Sequence, residues 1–183
     1  MRTLVTGGVR SGKSTIAENL VTEAAALLAG DAPVTYVATG PSADDPDWAD
    51  RIATHRGRRP DSWRTVETTD LASALDSLTG PGLIDCLGTW LTAVLDELDV
   101  WEVPRDDWRP ALHARTAAVV AAWSRCPHDM VAVTNEVGWG VVSEHRSGRI
   151  FADELGLLNQ DIARKSDSVL LVVAGRILPL REP

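Results

Sequence analysis

The stretch LVTGGVRSGKST, residues 4–15, decides how the rest of the chain is read. Leu4, Val5 and Thr6 form a short β-capable run, and Gly7, Gly12, Lys13 and Ser14 then fit the spacing G-x-x-x-x-G-K-[ST]. KSTIAENLVTEAAALLA follows at once, with the composition of an amphipathic helix. A strand that breaks into a glycine-rich turn and opens a helix is the context that gives this motif its meaning. Glycines let backbone N–H groups turn inward around a phosphate, and the helix N-terminus adds partial positive charge. Lys13 carries charge to the β- and γ-phosphates, and the Ser14 hydroxyl is a ligand for Mg²⁺. The stretch therefore predicts a nucleoside triphosphate held by Gly7, Gly8, Val9, Arg10, Ser11, Gly12, Lys13 and Ser14.

Working outward, short apolar runs alternate with longer helical stretches. Residues 4–6, 34–39, 83–87, 130–135 and 168–175 read as strands, three of them apolar almost throughout, as strands buried on both faces should be. Residues 13–29, 70–78, 89–98, 108–125 and 148–165 read as helices. The alternation predicts an α/β fold of P-loop NTPase type, a mostly parallel sheet flanked by helices, with residues 1–183 forming one domain. A second carboxylate should hold the metal from the end of a neighbouring strand. Asp85, closing GLIDC, is the candidate; its alternative role is to cap the helix expected near Thr89. Residues 40–64, rich in Pro, Asp and Arg, look like an insertion over the carboxyl edge of the sheet, where ligands sit in such folds.

Composition narrows the partners. The 183 residues carry 18 Lys+Arg against 26 Asp+Glu, a formal net charge of −8, which argues against a nucleic-acid-binding face. Lys13 and Lys165 are the only lysines, so nearly all positive charge is arginine. Cys86 and Cys126 have no CxxC spacing, no apolar run reaches membrane-spanning length, and the first residues enter a strand without a charged leader. A cytoplasmic protein with no membrane span is expected.

A phosphate loop alone does not define chemistry. A guanine-reading switch would carry N-K-x-D, and the nearest match, RKSD at residues 164–167, lacks the Asn. A small-molecule kinase suits the length better. The insertion adds RIATHRGRRPDSWRTVET, residues 51–68, in which His55 sits among Arg51, Arg56, Arg58 and Arg59. Chemistry leaves two roles open for His55: an electrostatic contact in a basic cluster, or a nucleophile toward an α-phosphate whose charge the arginines neutralise. Asn135 and Glu136, in TNEVGWG after a strand, face an acceptor or shape a turn. Asn159 and Gln160 lie mid-helix, where hydrogen-bonded packing and ligand contact compete. His113, His128 and His145 lack metal-ligand spacing and read as surface or structural residues. Trp90 and Trp123 suit a core or a subunit interface, whereas Trp63 and Trp139 could line a bulky acceptor.

TGGVRSGKS, RIATHRGRRPDSWRTVE and the block from residues 133 to 175 together resemble the bifunctional adenosylcobinamide kinase/adenosylcobinamide-phosphate guanylyltransferases of cobalamin assembly. The similarity runs from residue 2 to about residue 175. It implies phosphorylation of the aminopropanol hydroxyl of adenosylcobinamide by ATP or GTP. It further implies transfer of GMP from GTP to adenosylcobinamide phosphate through a guanylylated histidine, with release of pyrophosphate. By the resemblance His55, in H-R-x-x-R-P, is that histidine, and Lys13 assists catalysis. Nucleotide contacts are implied at residues 7–14, at Ala38, Thr39 and Gly40, at Arg56, Gly57, Arg58 and Arg59, at Glu67 and at Asp85, with Mg²⁺ held by Ser14 and Asp85. Some relatives have a second histidine where this chain has Thr54, and many have Glu where it has Asp85. The family also implies a homo-oligomer, with a trimer expected.

Overall fold

A computed structural model describes residues 1–28, 33–40, 57 and 59–181. In chain order the described elements are β1 (Arg2–Gly7), α1 (Lys13–Ala26), β2 (Thr35–Ala38), β3 (Arg64–Glu67), α2 (Leu71–Asp76), β4 (Gly82–Asp85), α3 (Leu87–Glu97), α4 (Arg105–Arg125), β5 (Met130–Val133), α5 (Arg146–Lys165), β6 (Ser168–Val173) and β7 (Arg176–Arg181). The strands form one seven-stranded sheet in the order β3-β2-β4-β5-β1-β6-β7. Every pairing is parallel except β6 with β7. The expected mostly parallel α/β architecture is what the chain adopts.

The central strands are apolar on both faces because both faces are covered. Leu4, Val37, Ile84, Ala132 and Val169 pack with α2, α3, α4 and α5. Val5, Tyr36, Leu83, Val131, Val133 and Val172 pack with Ala17 and Val21 of α1. Neighbouring residues of one strand thus feed opposite cores, the period-2 alternation that fixes register. Trp90 and Trp123 are about 1% and 0% exposed and belong to the first core, each with its indole N–H satisfied, by the Thr69 carbonyl at 2.9 Å and the Ser166 hydroxyl at 3.2 Å. At roughly 1.5–3 kcal/mol per fully buried large side chain, these two rings are among the strongest single contributors to the fold.

Two strands depart from expectation. β3 reads RTVE and is exposed along most of its length, and β7 reads RILPLR and is exposed throughout. Neither carries the buried apolar run by which the inner strands are recognised. Both are edge strands, and Pro179 is tolerated in β7 because an edge position can forgo one donor. The helix expected from Thr89 begins two residues earlier, at Leu87, with Cys86 as its N-cap. The Cys86 thiol accepts from the Thr89 amide at 3.5 Å, so Asp85 is not the capping acid.

Candidate nucleotide site

The register of the sheet sets one row across its carboxyl edge. Glu67 pairs with Ala38, Ala38 with Asp85, Asp85 with Val133, and Val133 with Val5. Two residues beyond Val5, Gly7 ends β1 and starts the loop into α1, whose first residue is Lys13. Residues 7–14, Ala38, Thr39, Gly40, Glu67 and Asp85 therefore gather at one edge although spread over some eighty residues of sequence. His55, Arg56 and Arg58 lie outside the described residues, as does most of the insertion. Gly57 is exposed. The segment between β2 and β3 joins parallel strands, so it leaves the carboxyl edge after Ala38 and regains the amino edge at Arg64.

The loop is shaped for an anion. Arg10 lies at φ 56° and Gly12 at φ 97°, left-handed residues that turn successive amides toward a common centre. At Gly7, φ 155°, a Cβ would stand 2.4 Å from the Val172 carbonyl oxygen, so the loop can begin this close to β6 only as glycine. From the other side, the Gly175 amide in the β6–β7 turn donates to the Ser11 carbonyl at 2.8 Å. Ala174 and Gly175 both have positive φ, as a tight two-residue hairpin requires. Lys13 is about 8% exposed and its ammonium donates to the Gly8 carbonyl at 3.0 Å, folded over the loop. The Ser11 hydroxyl is buried without a hydrogen-bond partner among the described residues, a donor suited to a phosphate oxygen.

Asp85 is held differently from the neighbouring-strand ligand expected of it. β4 is not beside β1, because β5 stands between them. One Asp85 carboxylate oxygen accepts from the Tyr36 hydroxyl at 2.9 Å. The Arg59 guanidinium stacks over the Tyr36 ring, 3.6 Å from its centroid, and reaches the Thr65 hydroxyl at 3.4 Å. Burial raises the Tyr36 phenol above its usual pKa, and the Asp85 charge and hydrogen bond push the same way while Arg59 opposes them. The phenol stays protonated as a donor. Arg59, the second arginine of the H-R-x-x-R-P motif, is thereby tied through Tyr36 to Asp85.

The intervening strand β5 leads into a second hydrogen-bonded cluster at this edge. Beyond Val133 the Thr134 amide donates to the Val5 carbonyl and the Glu136 amide to the Gly7 carbonyl, at 3.0 and 3.2 Å. The buried Thr6 hydroxyl donates to the Glu136 carboxylate at 2.8 Å. Asn159 of α5 accepts from the Thr134 hydroxyl at 2.6 Å and donates to the Asn135 carbonyl at 3.1 Å, joining α5 to the end of β5. Gln160 is exposed. Trp63 packs half-buried on the α1-side core, while Trp139 is 71% exposed in a loop with Val141 and Val142. His113 lies 3.6 Å from Glu154, His128 contacts the Leu78 carbonyl and His145 precedes α5. Among the described residues no group of three His, Cys, Asp or Glu side chains is placed to hold a metal ion, and no helix is long and apolar enough to cross a membrane.

Residues 3–180 match the family described as cobinamide kinase / cobinamide phosphate guanyltransferase. The chain is 40% identical to the bifunctional adenosylcobalamin biosynthesis protein CobU of Escherichia coli, over 96% of this chain and 97% of that one. It is 41% identical to the Salmonella typhimurium protein of the same name, with the same coverage. It is 38% identical to the bifunctional adenosylcobalamin biosynthesis protein CobP of Pseudomonas aeruginosa, over 99% and 98% of the two chains. A solved KaiC-like protein from Pyrococcus horikoshii covers 93% of this chain and 69% of its own, with a TM-score of 0.49 and 12% identity.

Proposed function

This chain belongs to the cobinamide kinase / cobinamide phosphate guanyltransferase family, and on that premise we propose that it carries both activities within one catalytic unit spanning residues 1–183. The observation that carries the reading is the family match over residues 3–180, which takes in both the phosphate loop and the His55 segment. In the first reaction the aminopropanol hydroxyl of adenosylcobinamide takes the γ-phosphoryl of ATP or GTP lying in residues 7–14. In the second, His55 attacks the α-phosphate of GTP, forming a P–N bond as the bond to pyrophosphate breaks. The phosphate of adenosylcobinamide phosphate then displaces the histidine, giving adenosylcobinamide-GDP.

Each residue role follows from its chemistry. Lys13 and the loop amides neutralise charge on the departing pyrophosphate or diphosphate. Ala38, Thr39, Gly40 and Glu67 border the nucleotide, and Arg56, Gly57, Arg58 and Arg59 flank the reacting histidine. Ser14 and Asp85 present the hard oxygen donors that suit Mg²⁺. Bound there, Mg²⁺ would offset phosphate charge and orient the leaving group. The acceptors are small corrinoids rather than nucleic acid, as the formal net charge of −8 favours, and the enzyme works in the cytoplasm, where Cys86 and Cys126 stay reduced. The homo-oligomer, with a trimer as the expected form, is supported by the wholly exposed edge strand β7.

The test is intact-mass spectrometry after incubation with GTP and Mg²⁺, beside His55→Ala and an ATP control. Wild type should gain the mass of GMP in an acid-labile, alkali-stable linkage, and His55→Ala should not. Omitting Mg²⁺ or adding EDTA should suppress the adduct. No adduct on wild type, with cobinamide still phosphorylated, would reduce the chain to a kinase and remove the covalent role of His55.

A further inference from the structure

The carboxyl edge carries two differently held carboxylates. Asp85, at the end of β4, is tied through Tyr36 of β2 to Arg59. Glu136 is tied to the β1–β5 half: its amide donates to the Gly7 carbonyl at 3.2 Å and its Oε1 accepts from the buried Thr6 hydroxyl at 2.8 Å. Both ties end on the last two residues of β1, Thr6 and Gly7, where the phosphate loop begins. The Thr6 bond uses one of about four acceptor positions on the carboxylate, and no other described residue donates a hydrogen bond to it. Glu136 is only half-buried, so the remaining positions are not enclosed by the core.

We propose that Glu136 is the base of the phosphoryl-transfer step, a role that rests on the kinase reading above. Glu136 takes the proton from the acceptor hydroxyl as its oxygen bonds to the γ-phosphorus. The bond from that phosphorus to the β–γ bridging oxygen breaks, and its electron pair leaves on the nucleoside diphosphate. Glu136 then returns the proton to solvent. Guanylylation of His55 needs no such base, because a neutral imidazole nitrogen attacks through its own lone pair. The same carboxylate is therefore dispensable for the second chemistry. The Thr6 hydroxyl is a positioning group that fixes the direction of the carboxylate.

The experiment compares wild type, Glu136→Gln, Glu136→Asp and Thr6→Val in three measurements: single-turnover phosphorylation of cobinamide by ATP, formation of the GMP adduct from GTP, and nucleotide Kd. Glu136→Gln keeps the shape and an acceptor for Thr6. It should slow phosphorylation by roughly 10²–10⁴-fold while the adduct forms at the wild-type rate and Kd stays within about twofold. Glu136→Asp should recover part of the rate, and Thr6→Val should lose less than Glu136→Gln. Equal loss of both reactions, or a weakened Kd, would make Glu136 a brace of the loop and overturn the proposal. So would an unimpaired Glu136→Gln. A wild type that forms the adduct without phosphorylating cobinamide would overturn the kinase reading and this role with it, an outcome separable from the others because it needs no variant.

Discussion

Lys13 is about 8% exposed, and its ammonium is held over the phosphate loop by the Gly8 carbonyl. Replacing it by Ala should leave the fold intact, since Lys13 belongs to neither hydrophobic core, yet remove a preorganised donor from both reactions. Losses of roughly 10²–10³-fold in the rates of phosphorylation and of GMP-adduct formation are expected, read by single-turnover kinetics. Gly7 behaves oppositely. Gly7→Ala drives a methyl against the Val172 carbonyl and strains a positive φ, so urea denaturation should show a loss of about 1–3 kcal/mol or more. The loop was legible because a strand, a glycine-rich turn and a helix in immediate succession leave a local pattern. Tyr36 was not, because its pairing with Asp85 across 49 positions of sequence depends on the β2–β4 register, which no local pattern states. Glu136 was legible as an edge residue, but its bond to Thr6 depends on β5 lying beside β1.

Among elements, β1 and β6 are fastened at their starts by one charged pair. Arg2 in β1 donates two side-chain bonds to Asp167, at 3.2 and 2.9 Å, and its backbone amide adds a third at 2.7 Å. The Arg2 guanidinium, followed by the Arg2 amide, holds the Asp167 carboxyl down at about 2. A depressed carboxylate stabilises the fold fully above its ordinary value near 4 and loses that contribution as pH falls toward 2. Both side chains are partly exposed, so solvent screening limits the effect to about 1 kcal/mol or less. Asp167→Asn should therefore lower stability by roughly 0.5–1 kcal/mol at pH 7 in urea titrations. The gap from wild type should close between pH 4 and pH 2 and narrow in high salt. The inner strands were readable as elements because double-sided burial forces apolar runs. β3 and β7 escaped because an edge strand is held by backbone pairing to one neighbour and asks little of its side chains. The helices were found within three residues at either end, their apolar stripes being dictated by the face each lays on the sheet.

At the scale of the molecule, the sheet ends asymmetrically. The β3 edge is short and carries Arg64 and Glu67, charges that discourage further pairing. β7 is six residues long, with Ile177, Leu178 and Leu180 roughly half exposed and one backbone edge left without a strand among the described residues. Leu180 falls where the register with β6 slips, between Leu170↔Pro179 and Val169↔Arg181. Pro179 and the register slip beside it blunt backbone pairing along this edge, so in a homo-oligomer it is the exposed apolar side chains of β7 that would meet a second copy of the chain. The double variant Leu178→Glu/Leu180→Glu places like charges where copies would meet, without disturbing either core, since neither residue belongs to one. Light scattering on a sizing column should show wild type as an oligomer and the variant as a monomer with an unchanged unfolding midpoint. Because the β6–β7 turn braces the phosphate loop through the Gly175 amide and the Ser11 carbonyl, the monomeric variant should also bind nucleotide more weakly. A variant that stays oligomeric would put the interface elsewhere on the molecule.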